Sequence, residues 1–259
     1  MMHDDFLKSR HEKYTKRVLT SFEGETAETI SSLIIEEAPP SPFLTKKQQK
    51  EKIRHESSRI LLQLFHTFDN GVAKLLDGAK EYKKHNREVD MKGFSEELLK
   101  MIRFFSKVKE KEYIKKWVKN FEEGKEYCEM IPLKEETIEL LYQAAKLLYE
   151  KEAYQDAKDA FSTLIVLQSK NSNFWIGLAH STFFLEDYKE ACFFYSIASI
   201  FAPQDPQTHY FCAQCYEKDK DIPHAVNAIE LALLAAEEER YKHLKKPLLQ
   251  EKNRLQNML

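Results

Sequence analysis

Ala157, Ala191 and Ala225 follow one another at a constant step of 34 residues, and their neighbours keep the same step. Tyr154, Tyr188 and Ile222 lie three positions before them, and Phe161, Tyr195 and Ile229 lie four positions after. Leu164, Ala198 and Ala232 follow at seven. A small side chain flanked by large ones at helical spacing lets two antiparallel helices approach closely while the large residues fill the space beside them. One such hairpin leaves an apolar face uncovered, so repeated hairpins stack into a row.

The 34-residue period is that of the tetratricopeptide repeat, a helix–turn–helix unit. Composition agrees with an all-α fold. The 259 residues contain six glycines and eight prolines, with 32% charged and 42% hydrophobic residues, and no segment shows the alternation of a strand. The formal net charge of −2 gives no general bias toward nucleic acid. No apolar run approaches the ~18 residues of a membrane span. Met1-Met2-His3-Asp4-Asp5 lacks the basic-then-apolar order of a secretory signal, and four cysteines do not make a disulfide framework. A reducing cytosol is the expected compartment.

The chain divides into three expected regions. Residues 1–44 hold two short helices, about 3–19 and 25–37, and the linker Ala38-Pro39-Pro40-Ser41-Pro42, whose prolines cannot continue a helix. Residues 45–130 read as a helical bundle, with apolar stripes at Ile53 to Phe68, Phe94 to Phe105 and Tyr113 to Phe121. Within it, Asn70-Gly71 and Asp77-Gly78 read as turns or breaks, one of which a helix could cross. Residues 131–259 form three tetratricopeptide repeats, an α-solenoid, closed by a capping helix that Pro247 interrupts. Turns are expected at Lys151-Glu152, Lys170 to Asn173, Glu186-Asp187, Pro203 to Pro206 and Lys218 to Asp221. Asp205 should cap a helix that Pro206 opens.

In a solenoid of this kind the first helix of each pair lines a concave surface. In repeat register the groove positions are Tyr142, Lys146 and Tyr149, then Ile176, His180 and Phe183, then Tyr210, Gln214 and Glu217. Aromatic and aliphatic groups with scattered polar ones suit an extended peptide, whose apolar residues enter pockets while polar groups hold its backbone. Lys146 stands nearly alone among cations there, whereas capture of a terminal carboxylate uses several converging basic groups. An internal, partly apolar segment of a protein is the expected ligand.

From Tyr142 to Ala236 the sequence resembles the class II chaperones of bacterial type III secretion systems, the SycD-like family. The similar residues are Ala153-Tyr154-Gln155-Asp156-Ala157, Phe174-Trp175-Ile176-Gly177-Leu178-Ala179, Tyr188-Lys189-Glu190-Ala191, Tyr195-Ser196-Ile197-Ala198 and Phe211-Cys212-Ala213-Gln214-Cys215-Tyr216. The more particular features are Gly-Leu-Ala at 177–179 and Ala-x-Cys at 213–215. The resemblance implies three repeats, a secreted translocator or effector segment held in the groove, and no cofactor. It also leaves about 130 residues before the repeats, where family members carry only a short helix. A scaffold of the secretion apparatus, or a secreted effector that binds a host protein, are the alternatives. A homodimer through terminal helices is compatible with either.

No catalytic residue, cofactor site or metal site is nominated, and an enzyme is not expected. The chain lacks a Gly-rich phosphate loop, a His-Glu-x-x-His and a nucleophile elbow. Cys212-Ala213-Gln214-Cys215, with His209 before it, has neither the strand-to-helix context of a redox motif nor a second ligand pair for zinc. It reads as buried packing. Lys107, Lys109, Lys111, Lys115, Lys116 and Lys119 are interleaved with Glu110, Glu112, Glu122 and Glu123, which marks a solvated face.

Overall fold

The computed structural model describes residues 70–86 and 133–258 as continuous stretches, together with isolated positions between 45 and 123. The expected helices at 3–19 and 25–37, the linker at 38–42, and most of the apolar and basic stripes between 53 and 121 lie outside the described residues. Every regular element among the described residues is helical, so the protein is all-α. Helix α1 occupies 70–85. It is followed by α2 (Glu135–Glu150), α3 (Tyr154–Leu167), α4 (Ser172–Phe184), α5 (Tyr188–Phe201), α6 (Pro206–Lys218) and α7 (Ile222–Ala235), then a 3-10 segment (Glu239–Leu244) and α8 (Lys245–Gln256).

The chain forms two compact units. One holds Met1–Asn70 and Asn86–Ile138, the other Gly71–His85 and Glu139–Leu259. Among the described residues of the first unit, Phe94 is buried and the buried Glu97 carboxylate is satisfied locally. It pairs with Lys100 at 2.5 Å and accepts the Lys134 backbone N–H at 3.3 Å. Chiefly through Lys100, its pKa falls below the usual carboxylate range.

The second unit recruits α1, which lies in the 45–130 span, through its two glycines. A Cβ on Gly71 would come 1.8 Å from Thr163 Oγ1 and 2.3 Å from the Asp159 carbonyl oxygen, and one on Gly78 would meet the Ala144 carbonyl oxygen at 2.8 Å. The two glycine dipeptides are therefore not breaks: the helix runs through both. Seven residues apart, they share a face with the fully buried Val72, Leu75 and Ala79. Glycine disfavours a helix by about 1 kcal/mol against alanine. Here that is offset because only a bare Cα lets α1 reach the α2 and α3 backbones. Lys74 with Asp156 at 2.9 Å and Lys151 with Glu81 at 2.5 Å close the edges of the contact.

The 34-residue period reappears in the backbone. Glu152, Glu186 and Lys220, one in each turn between paired helices, have φ of 61°, 65° and 64°. Each reverses the chain in the left-handed region, where a non-glycine residue is strained. The caps repeat as well. Asn171 and Asp205 accept the N–H two residues on, from Asn173 and Gln207, at 3.1 and 3.0 Å. Asp187 and Asp221 accept the N–H three residues on, from Glu190 and His224, at 3.2 and 3.3 Å. Ala153, at the matching place in the first repeat, makes no side-chain cap. Pro206 opens α6, where its missing N–H leaves nothing unsatisfied.

Ala157, Ala191 and Ala225 have no exposed surface, as close helix approach requires. A continuous core then runs from Ala179 through Tyr195, Cys215 and Ile229 to Leu248 and Leu255. The C-terminal helix is thus part of the repeat core. Pro247 falls in its first turn, where proline is tolerated.

Candidate peptide-binding groove

The nine nominated residues come from α2, α4 and α6, three from each, at matching heights. All nine are half-buried, the state expected of side chains that line a surface while resting on a core. Burial raises the phenol pKa of Tyr142, Tyr149 and Tyr210 above the ordinary value, so all three stay neutral and act as apolar bodies with a hydrogen-bonding tip.

In the first repeat, Tyr142 rests on the buried Phe161 and Phe174 rings, with centroids 6.3 and 5.5 Å away. The Lys146 ammonium lies 5.8 Å from the Tyr142 centroid, within cation–π range. Tyr149 reaches across to the second repeat, where His180 and Phe184 lie 6.0 and 5.8 Å from it. In the second repeat, Phe183 packs edge-on against Tyr188 at 5.3 Å, and Ile176 lies half-buried one turn before His180.

His180 is the centre of this face. Its Nδ1 lies 2.7 Å from the Tyr195 hydroxyl, and its ring stands edge-on to Phe211 at 4.5 Å. Desolvation lowers its pKa to about 4. It is therefore a neutral ring at pH 7 that fixes the α4–α5–α6 junction, and it contributes no positive charge to a ligand. In the third repeat, Gln214 donates to the Tyr210 hydroxyl at 3.1 Å. Glu217 receives both terminal nitrogens of Arg254 on α8, at 2.8 and 2.7 Å.

Tyr149, His180 and Phe183 thus share one aromatic network with residues outside the nominated set. Phe184, 49% exposed, stacks on Tyr154 at 4.8 Å and 11°. Phe211 stacks on Tyr195 at 5.5 Å and 16°. Phe211 carried a readable signal, because it stands 34 residues after Gly177. The contribution of α8 carried none in the repeat register, since Arg254 lies beyond the last period.

Cys212 faces the preceding repeat. Its Sγ lies 3.3 Å from Cys192 Sγ, and both thiols are buried. The Cys192 thiol and burial push the Cys212 pKa up, and burial pushes Cys215 to about 12. These thiols serve the core between α5, α6 and α7.

No family model matches the chain. The Low calcium response locus protein H of Yersinia pestis is 29% identical over 110 residues, which span 42% of this chain and 66% of that protein. The alignment thus covers just under two thirds of the relative's length. A type III secretion complex from Aeromonas hydrophila superposes with a TM-score of 0.52 at 19% identity, covering 54% of this chain and 93% of that one. The type III secretion translocator chaperone SycD of Yersinia enterocolitica matches at 23% identity with a TM-score of 0.47, over 50% of this chain and 97% of its own. These likenesses each cover about half of this chain or less.

Proposed function

We propose that this protein is a cytoplasmic type III secretion chaperone that holds an extended, partly apolar segment of a secreted translocator in the groove of its repeats. The observation that carries the proposal is the register of the lining. Tyr142, Ile176 and Tyr210 occupy one height, Lys146, His180 and Gln214 the next, and Tyr149, Phe183 and Glu217 the third. Every member of the three rows is half-buried, and together they set aromatic and aliphatic groups beside isolated polar and charged ones. Such a face offers side-chain pockets and backbone partners to an extended chain, and no gathered cations to a carboxylate terminus. The resemblance of the surrounding repeats to the SycD-like family, in segments that include Ile176 and Gln214, supports the reading.

Binding of this kind uses no cofactor and no chemistry: the chaperone lowers the free energy of the soluble state by covering apolar segments of its client. The test is co-expression with the translocators of the same secretion system, followed by co-purification. The full chain should retain a translocator, and Tyr149→Glu with Phe183→Glu should release it while the circular dichroism of the repeats is kept. Retention by the folded double variant would overturn the groove assignment.

A further inference from the structure

At the third-repeat end of this face α8 packs beside α6, and an open cavity of about 580 Å³ lies between them. Its apolar walls come from Pro206, Tyr210 and Phe211 on α6 and from Leu244, Pro247 and Leu248 at the start of the C-terminal segment. A volume of this size falls in the range of specific ligand sites. The opening carries the amides of Gln207 and Gln250, both exposed, and the acid–base group at Glu251 and Arg254.

That group has a definite charge. The Arg254 guanidinium is held on one side by Glu217 and on the other by Glu251, whose oxygens lie 2.6 and 2.8 Å from NH2 and Nε. Two carboxylates share one cation, so the group carries one net negative charge: Glu251 and Arg254 line the cavity, and Glu217, outside its lining, neutralises Arg254. Arg254 lowers the Glu251 pKa below the usual carboxylate range, so the charge is present at neutral pH. The bidentate arrangement also fixes α8 against α6 and keeps the walls apart.

The geometry points to an anchor site for a peptide carrying two apolar side chains followed by a lysine or arginine: the side chains fill the α6–α8 cavity and the cation meets the Glu251 carboxylate, whose partner Arg254 is already neutralised by Glu217. The inference rests on the groove reading above and names the part of a client segment that the third repeat selects. The amides of Gln207 and Gln250 are placed to hydrogen-bond the backbone of an extended chain. Opposite charges several ångströms apart at a protein surface attract, and salt screens that attraction, so the flanking residue should matter several-fold.

The experiment uses the full chain and an array of synthetic 12-residue peptides. Each carries two leucines two positions apart, followed by lysine, serine or glutamate. At low salt the lysine series should bind about fivefold or more above the glutamate series, and 1 M salt should compress the difference. Glu251→Gln should abolish the preference. Gln207→Arg, an exposed change that leaves the α6–α8 contact intact, should reverse it. Equal binding of the lysine and glutamate series, no binding of any peptide, or a preference that survives both substitutions would each overturn the anchor assignment. Translocator co-purification, measured on the same variants, separates the two ideas. If capture by the wild-type chain persists while the peptide preference fails, only the anchor falls.

Discussion

The joint between the first and second repeats and the joint between the second and third occupy equivalent positions, yet they are filled in opposite ways. At the first, Phe161 of α3 presses against Gly177 of α4, where an added Cβ would come 2.3 Å from the ring. At the second, the equivalent residues are Tyr195 and Phe211, two rings stacked at 5.5 Å. One joint excludes a side chain, and the other is built from one. His180 adds its hydrogen bond to the second, whereas Lys146, its counterpart one period earlier, points to a tyrosine face. The comparison shows that equivalent joints of a repeat fold can be closed by different side chains.

Removing the intruding ring should have the largest effect. Phe161→Ala, at a residue only 2% exposed, should destabilise the chain by roughly 3–5 kcal/mol in denaturant unfolding followed by circular dichroism. Gly177→Ala comes next, at about 2 kcal/mol, from overpacking. In the Phe161→Ala background the same change should be close to neutral. Additive losses would break the assigned contact.

The second joint should carry a pH dependence that the first lacks. His180 has its folded pKa lowered from 6.5 to about 4, so the unfolded chain binds the extra proton in that window. Stability should therefore be fully present above pH 6.5 and decline as pH falls toward 4, by about 3 kcal/mol for this group. A His180→Leu variant measured across the same range should lose that component, and an unchanged slope would remove His180 from the account.

The smallest effects belong to the turns. Glu186→Gly and Lys220→Gly should each stabilise by about 0.5–1 kcal/mol, because glycine accepts the left-handed conformation without strain. Destabilisation by either would mean that the side chain contributes more than its strain costs.

The repeats were legible because each of their periodic features has a local cause. Small residues at 157, 191 and 225 set the helix approach, and Asp205-Pro206 has the chemistry of a helix start. The groove rows followed by register. Two parts resisted the same method. Gly71 and Gly78 resemble turn signals in a local window, and only the Thr163 side chain, the Asp159 carbonyl and the Ala144 backbone opposite them show that they serve close packing. The mouth formed by Arg254 was hidden because α8 lies outside the 34-residue period. Its Leu244, Leu248 and Leu255 face was visible only as ordinary amphipathic spacing.

The recruitment of α1 has a consequence for how the protein is made. The repeat unit is discontinuous, with residues 86–138 standing between its two segments. During synthesis α1 emerges first, with Val72, Leu75 and Ala79 uncovered, and it must wait for α2 and α3 before it can be buried. Closing a loop of that length adds only a few kcal/mol of entropy, since each doubling adds about 0.6 kcal/mol, but it makes a contact remote in sequence a condition for completing the first repeat. A fragment starting at residue 131 would contain every recognisable repeat and still lack the helix that packs on Ala144 and Thr163. The solenoid is written from left to right, but its first page is bound in earlier.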